Sequence, residues 1–123
     1  NNFDYESISG TDKGNKKLVN KVTADAQAVG LDFLPYSDDL TGGYAVALAV
    51  NPGVDYHWYR ENGDGTWSHK PGITEATNRE AHNYPIYGDI ISNPQDAAKK
   101  AGYTTFIGYY YIRPTGEWRC DEM

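Results

Sequence analysis

The chain has 123 residues, with 17 acidic against 11 basic side chains and a formal net charge of -6. That length makes one domain, residues 1–123, with a hydrophobic core that needs no metal or disulfide staple. The acidic balance without a basic patch excludes phosphate-driven nucleic-acid binding and adhesion to anionic lipid, and the longest apolar run, Tyr44 to Val50, is too short to insert across a bilayer.

The first dozen residues, "NNFDYESISGTD", are polar with scattered aromatics and read as a loop or short first turn. From about Asn15 to Val29, Leu18, Val22, Ala26 and Val29 recur at helical spacing, which predicts an amphipathic helix stopped by Gly30. "LDFLPYSDDLTGG", with Pro35 and a Gly pair, reads as a connection. In "YAVALAVN", bulky Val46, Leu48 and Val50 alternate with Ala45, Ala47 and Ala49. Both faces are apolar, so this is a central strand covered on both sides, its alanine face admitting a helix closely.

"YHWYRE" and "TWSHK" are two further strands joined by "NGDG", whose glycines supply the positive φ that hairpin turns need. A three-residue loop over 62–64 would set His57 directly opposite His69; a two-residue loop at Gly63-Asp64 would put them on opposite faces. Residues 71–92 read as a long surface excursion with a short strand near Ile86. "SNPQDAAKKAG" is a short helix capped by Asn93, with Pro94 first inside and Gly102 at its end. "YTTFIGYYYIR" is a final strand. The expected fold is α+β: an antiparallel sheet of four to five strands, a longer helix packed on one face, and a short helix in the C-terminal half. The expected core includes Leu18, Val22, Val29, Val46, Leu48, Val50, Trp58, Phe106 and Ile107.

Eleven Tyr against three Phe suits half-exposed sheets and contact surfaces, because Tyr buries a ring and keeps a hydroxyl for a partner. The lone cysteine, Cys120, leaves no disulfide framework and no Cys/His zinc cluster. His57 and His69, flanked by Asp55 and Asp64, lack metal-ligand spacing, so neither metal nor cofactor is expected. His57 is suited to proton transfer near neutral pH, although an ordinary hydrogen-bonded strand histidine fits the same sequence. Trp58, Tyr59, Trp67, Arg60 and Lys70 could hold a peptide or glycan, while strand alternation requires about half of these rings to face the core.

The blocks "VALAVNPGVDYHWYRENGDGTWSHKPGITEATN" and "ISNPQDAAKKAGYTTFIGYYYI" resemble a little-characterised family of mostly secreted bacterial and fungal domains. The likeness covers roughly residues 43–112. In that family an Asn-Asn-Cys-Tyr segment precedes the first helix, in an arrangement similar to papain-like and NlpC-like cysteine hydrolases. The resemblance implies a thiolate at a helix N-terminus, His57 as its base, and His69 or Asn78 as the group that orients the base. This chain opens "NNFDYES", with Phe3 where the cysteine would stand. Three functions follow as expectations. One is a cysteine-hydrolase-like domain whose nucleophile is missing. A second is a non-catalytic module that binds a peptide or glycan through the aromatic hairpin. The third is an inhibitory protein that docks on a protein partner. The resemblance, together with a first residue that is not Met, implies a processed or excised chain in a secreted or cell-surface setting.

Overall fold

The computed structural model describes residues 5–69, 76–80 and 88–115. It is an α+β structure whose five strands form one antiparallel sheet: β1 (Leu31–Pro35), β2 (Tyr44–Asn51), β3 (Asp55–Glu61), β4 (Trp67–Ser68) and β5 (Thr105–Pro114), in the order β1-β5-β2-β3-β4. A 3-10 turn, Tyr5–Ile8, leads into α1 (Asp12–Ala28); α2 (Pro94–Lys100) precedes β5.

The alternation in β2 decides the layering. Leu48 and Val50 are fully buried on one face against Ile8 and Leu18, with Val22, Trp58, Ile107 and Tyr110 packed around them. Ala45, Ala47 and Ala49 face the other way, against Tyr59, Trp67, Ile91 and the Ala97–Ala98 pair of α2. Short side chains on both α2 and β2 let that helix lie close to the sheet. Each helix therefore seals one face of the central strand.

Helix α1 begins earlier than apolar spacing predicts. The Thr11 side chain accepts a hydrogen bond from the Gly14 N–H at 3.1 Å, so the helix is capped at its N-terminus. Gly14 is buried, and a Cβ there would meet the Glu6 carbonyl and the Ser9 hydroxyl. The stop at Gly30 is as expected, with φ of 83°. Val29 is not core: it is 72% exposed. It is the C-cap, with φ of -113° and ψ of 17°, so its side chain has left the helical stripe.

The stretch whose sequence reads as a connection contains β1, which pairs with β5, and Phe33 is buried there, stacked on Tyr110 at 4.6 Å. Its sequence hides this because Pro35 ends the strand on a sheet edge, where a missing N–H costs nothing. The third expected strand shortens to Trp67–Ser68, followed by an isolated bridge from His69 to Thr77. Trp58, Phe106 and Ile107 are half-buried rather than fully enclosed. The register of β5 against β2 shifts between Leu48 and Ala49, a bulge that leaves Ile107 unpaired. The expected strand near Ile86 lies outside the described residues.

Candidate functional site

The two histidines are brought together by a register that neither short loop provides. Arg60 pairs with Ser68 and Glu61 with Trp67. The turn is closed by the Asn62 N–H donating to the Thr66 carbonyl at 3.0 Å, with Gly63 and Gly65 at φ of 88° and 89°. Asp64 fixes the turn by accepting from both the Thr66 N–H and its hydroxyl. Odd-numbered residues of both strands thus share a face, and His69 lies diagonally from His57 rather than opposite it. A diagonal pair is within reach of long side chains, and here His57 Nε2 and His69 Nδ1 are 2.7 Å apart.

The protons on this pair follow from its last partner. His69 Nε2 lies 2.9 Å from the Arg79 carbonyl, which can only accept, so Nε2 carries the hydrogen. In neutral His69 the lone pair is then on Nδ1, and His57 Nε2–H donates to it. The remaining lone pair, on His57 Nδ1, is the base of the cluster. One added proton at that nitrogen leaves both hydrogen bonds intact, whereas a second would remove the acceptor between the rings.

The surroundings favour the neutral form. His69 is 5% exposed. Burial, then the neighbouring His69, pulls the His57 pKa down to about 4, against an opposing effect of Asp55. Burial also lowers His69, partly offset by its bond to the Arg79 carbonyl. The Tyr59 ring stacks on His69 at 4.9 Å, and Tyr103 lies 5.1 Å from His57. Burial, with Tyr103 and Glu80 nearby, raises the Tyr59 phenol to about 12. Burial and a hydrogen bond to Asp55 do the same for Tyr103.

His69 also ties the excursion to the sheet. Its backbone exchanges hydrogen bonds with Thr77 at 2.8 and 2.9 Å, and Trp67 N–H donates to Ile91 O at 2.9 Å. Ile91 N–H donates to the Asn78 carbonyl, and Lys100 of α2 bonds Glu80 at 3.0 Å. The described parts of the excursion, residues 76–80 and 88–91, therefore lie along β4 and do not project.

Of the expected catalytic residues, His57 and His69 come together. Asn78 is placed by its backbone, and among the described residues nothing joins its side chain to either ring. Lys70, Phe3 and Cys120 lie outside the described residues. The residues expected to form one aromatic binding surface are divided by strand alternation. Trp58 and Arg60 turn to the α1 face, where a groove of about 400 Å³ is lined by Tyr44, Val46, Trp58, Arg60, Ser68 and Ile112. The Arg60 guanidinium lies over the Tyr44 ring, 3.9 Å from its centroid. Tyr59 and Trp67 turn to the α2 face and are buried.

A second cavity, of about 370 Å³, opens on the α2 face between Tyr36, Glu61, Trp67, Ser92, Asn93 and Tyr109. Sequence reasoning missed Tyr36 and Tyr109 as partners. The signal was present only in Gly108, beside the bulge that reorients β5.

No family model matches the chain, and no solved structure matches it. A curated relative, the Insoluble matrix shell protein 1 of Ruditapes philippinarum, is 42% identical over 69 residues. The alignment covers 56% of this chain and 43% of the relative, so the chain spans less than half of that protein's length. No helix among the described residues is long and apolar enough to cross a membrane.

Proposed function

We propose that the chain is a non-catalytic binding module of an extracellular matrix, built on a cysteine-hydrolase-like scaffold, with a glycan, peptide or protein as its ligand. The observation that carries this reading is the closed histidine pair. His57 donates to His69, His69 donates to a backbone carbonyl, and burial keeps both rings neutral. A nucleophile would need the one free nitrogen, His57 Nδ1, and the residue to which the family resemblance assigns that role is Phe3. No described residue makes a hydrogen bond to this nitrogen. The matrix setting is supported by the relative, which is by name an insoluble protein of shell matrix.

The test is turnover of amide and ester substrates by the purified chain, read beside a His57→Ala variant. The expected result is no turnover above the variant's background. Hydrolysis by the unmodified chain that disappears in His57→Ala would overturn the non-catalytic reading.

A further inference from the structure

We infer that the cavity on the α2 face is a binding site for a neutral glycan, with a pyranose ring seated against the exposed rings of Tyr109 and Tyr36 and the buried Trp67 backing the aromatic wall. This deepens the binding reading and rests on it. The site is a product of the β5 bulge. Without it, Phe106 and Tyr109 would point to opposite faces of the sheet, since their spacing is odd. With it, Phe106 backs Tyr109 at 5.1 Å and 62°, and Trp67 meets Tyr109 at 5.6 Å and 52°, forming an angled aromatic corner. Tyr36 completes the wall: its N–H donates to the Tyr109 carbonyl at 3.1 Å, and its hydroxyl donates to Asp38 at 3.0 Å. Tyr109 is 39% exposed and Tyr36 46%. Two large rings left open beside one cavity form a contact surface, whereas a ring serving only the core would be covered.

The polar groups on the rim suit hydroxyls. Glu61 offers a carboxylate as acceptor. The Asn93 Oδ1 is already occupied, accepting from the Gln95 and Asp96 N–H groups at 3.0 and 3.2 Å, so its NH₂ remains to donate. Ser92 can do either. A sugar hydroxyl both donates and accepts, and a pyranose ring offers an apolar C–H face to an aromatic wall. The volume lies near the lower end of the ~300–1,000 Å³ common for small-ligand sites, enough for one ring with its neighbours outside.

Charge narrows the class. None of the described lining residues is cationic, Glu61 is anionic, and the chain carries -6. Sulfated or uronic glycans and phosphates meet repulsion there, so the ligand is neutral. A peptide added as an extra strand is disfavoured, because the cavity lies on the sheet face and the Trp67 N–H beside it is already bonded to Ile91.

The experiment is an amide-resolved NMR titration with four probes: cellotriose, chitotriose, a heparin-derived hexasaccharide and an oligolysine peptide. Variants Tyr109→Ala and Glu61→Gln are compared with Asp25→Ala, on the exposed face of α1. The expected result is binding of at least one neutral trisaccharide, with shifts at Trp67, Ser92 and Tyr109. Tyr109→Ala should weaken it about tenfold or more, while Asp25→Ala leaves it unchanged and heparin fragments do not bind. Neutral-sugar binding that survives both cavity variants would overturn the site but leave a binding module. Oligolysine binding at this cavity without any sugar would overturn the glycan class, and no response to either trisaccharide would overturn the inference itself. The turnover assay reads the non-catalytic proposal separately.

Discussion

Lowering the pH from 7 to 5 removes stability from this fold through the histidine pair. The sign follows from linkage. His57 has a folded pKa of about 4, below the 6.5 of an unperturbed imidazole, so between those values the unfolded chain binds a proton that the folded chain refuses. Its contribution is fully present above pH 6.5, falls through the window from about 6.5 to about 4, and is exhausted below it. One proton over that interval amounts to about 2 kcal/mol lost between pH 7 and pH 5, and about 3 kcal/mol by pH 4. The lowered pKa of His69 acts in the same direction. Against a total of ~5–15 kcal/mol for an ordinary domain, this is a large share.

The assay is urea unfolding followed by tryptophan fluorescence at pH 7, 6 and 5. With a urea slope of ~1–3 kcal/mol per molar, the midpoint should drop by about 1 M. His57→Gln keeps an N–H near the position of Nε2 but cannot titrate, and should remove at least half of that drop. The double variant with His69→Gln should be nearly flat. Acidic groups whose pKa values are lowered, such as Glu6 and Asp64, act only below about pH 4.5 and cannot imitate the effect. A wild-type midpoint that stays constant from pH 7 to pH 5 would refute the buried, neutral pair.

Three substitutions test the packing. Gly14→Ala improves helix propensity yet should destabilise by more than about 2 kcal/mol, because the new Cβ meets the Glu6 carbonyl and Ser9; unchanged thermal unfolding would contradict that close approach. Leu48→Ala, at a fully buried site, should cost about 2–5 kcal/mol, while Val29→Lys at the exposed C-cap should stay within about 0.5 kcal/mol; denaturant midpoints read both. Asn93→Ala removes two hydrogen bonds at the start of α2 and should cost about 1 kcal/mol, with faster amide exchange at Gln95 and Asp96.

The sequence shows its elements best where one signal acts alone. The β2 strand declared its two faces because the bulky and small residues strictly alternate. The short helix declared its ends through Asn93, Pro94 and Gly102. Reading failed where two local rules competed. Pro35 and Tyr36 read as loop, and only the pairing of Pro35 with Tyr110 and the Tyr36 N–H bond to the Tyr109 carbonyl, both on the distant β5, make them an edge. In the turn, Asn62 could open a two- or three-residue loop, and the observed closure between Asn62 and Thr66 is settled by Asp64 gripping Thr66. That one choice decides whether the histidines share a face. The candidate residues His57 and His69 were visible as residue types, but their contact was a matter of register. The cavity was invisible because it depends on the bulge, which flips the alternation of β5 halfway along.

The charge state of His57 offers a test of the family likeness. In a cysteine–histidine hydrolase the resting site is a thiolate beside an imidazolium, so the anion holds the histidine's proton. Here burial and the neighbouring His69 lower the His57 pKa, and among the described residues only Asp55 opposes them. A scaffold that lost its thiol would have its histidine fall to the neutral form, where a second histidine can accept from it at no cost in charge. If the likeness holds, a thiol introduced at position 3 should reverse this. In Phe3→Cys, a thiolate within reach of His57 would raise that ring's pKa well above about 4, and the thiol's own pKa would fall below the ordinary ~8.5. Both are measured on one sample, by NMR titration of the ring protons and by the pH dependence of iodoacetamide alkylation, with Cys120→Ser as background. A cysteine at position 3 that alkylates like a free thiol, beside a His57 still titrating near 4, would sever the chain from the hydrolase likeness and leave the pair as a staple between the hairpin and the segment at Thr77–Arg79.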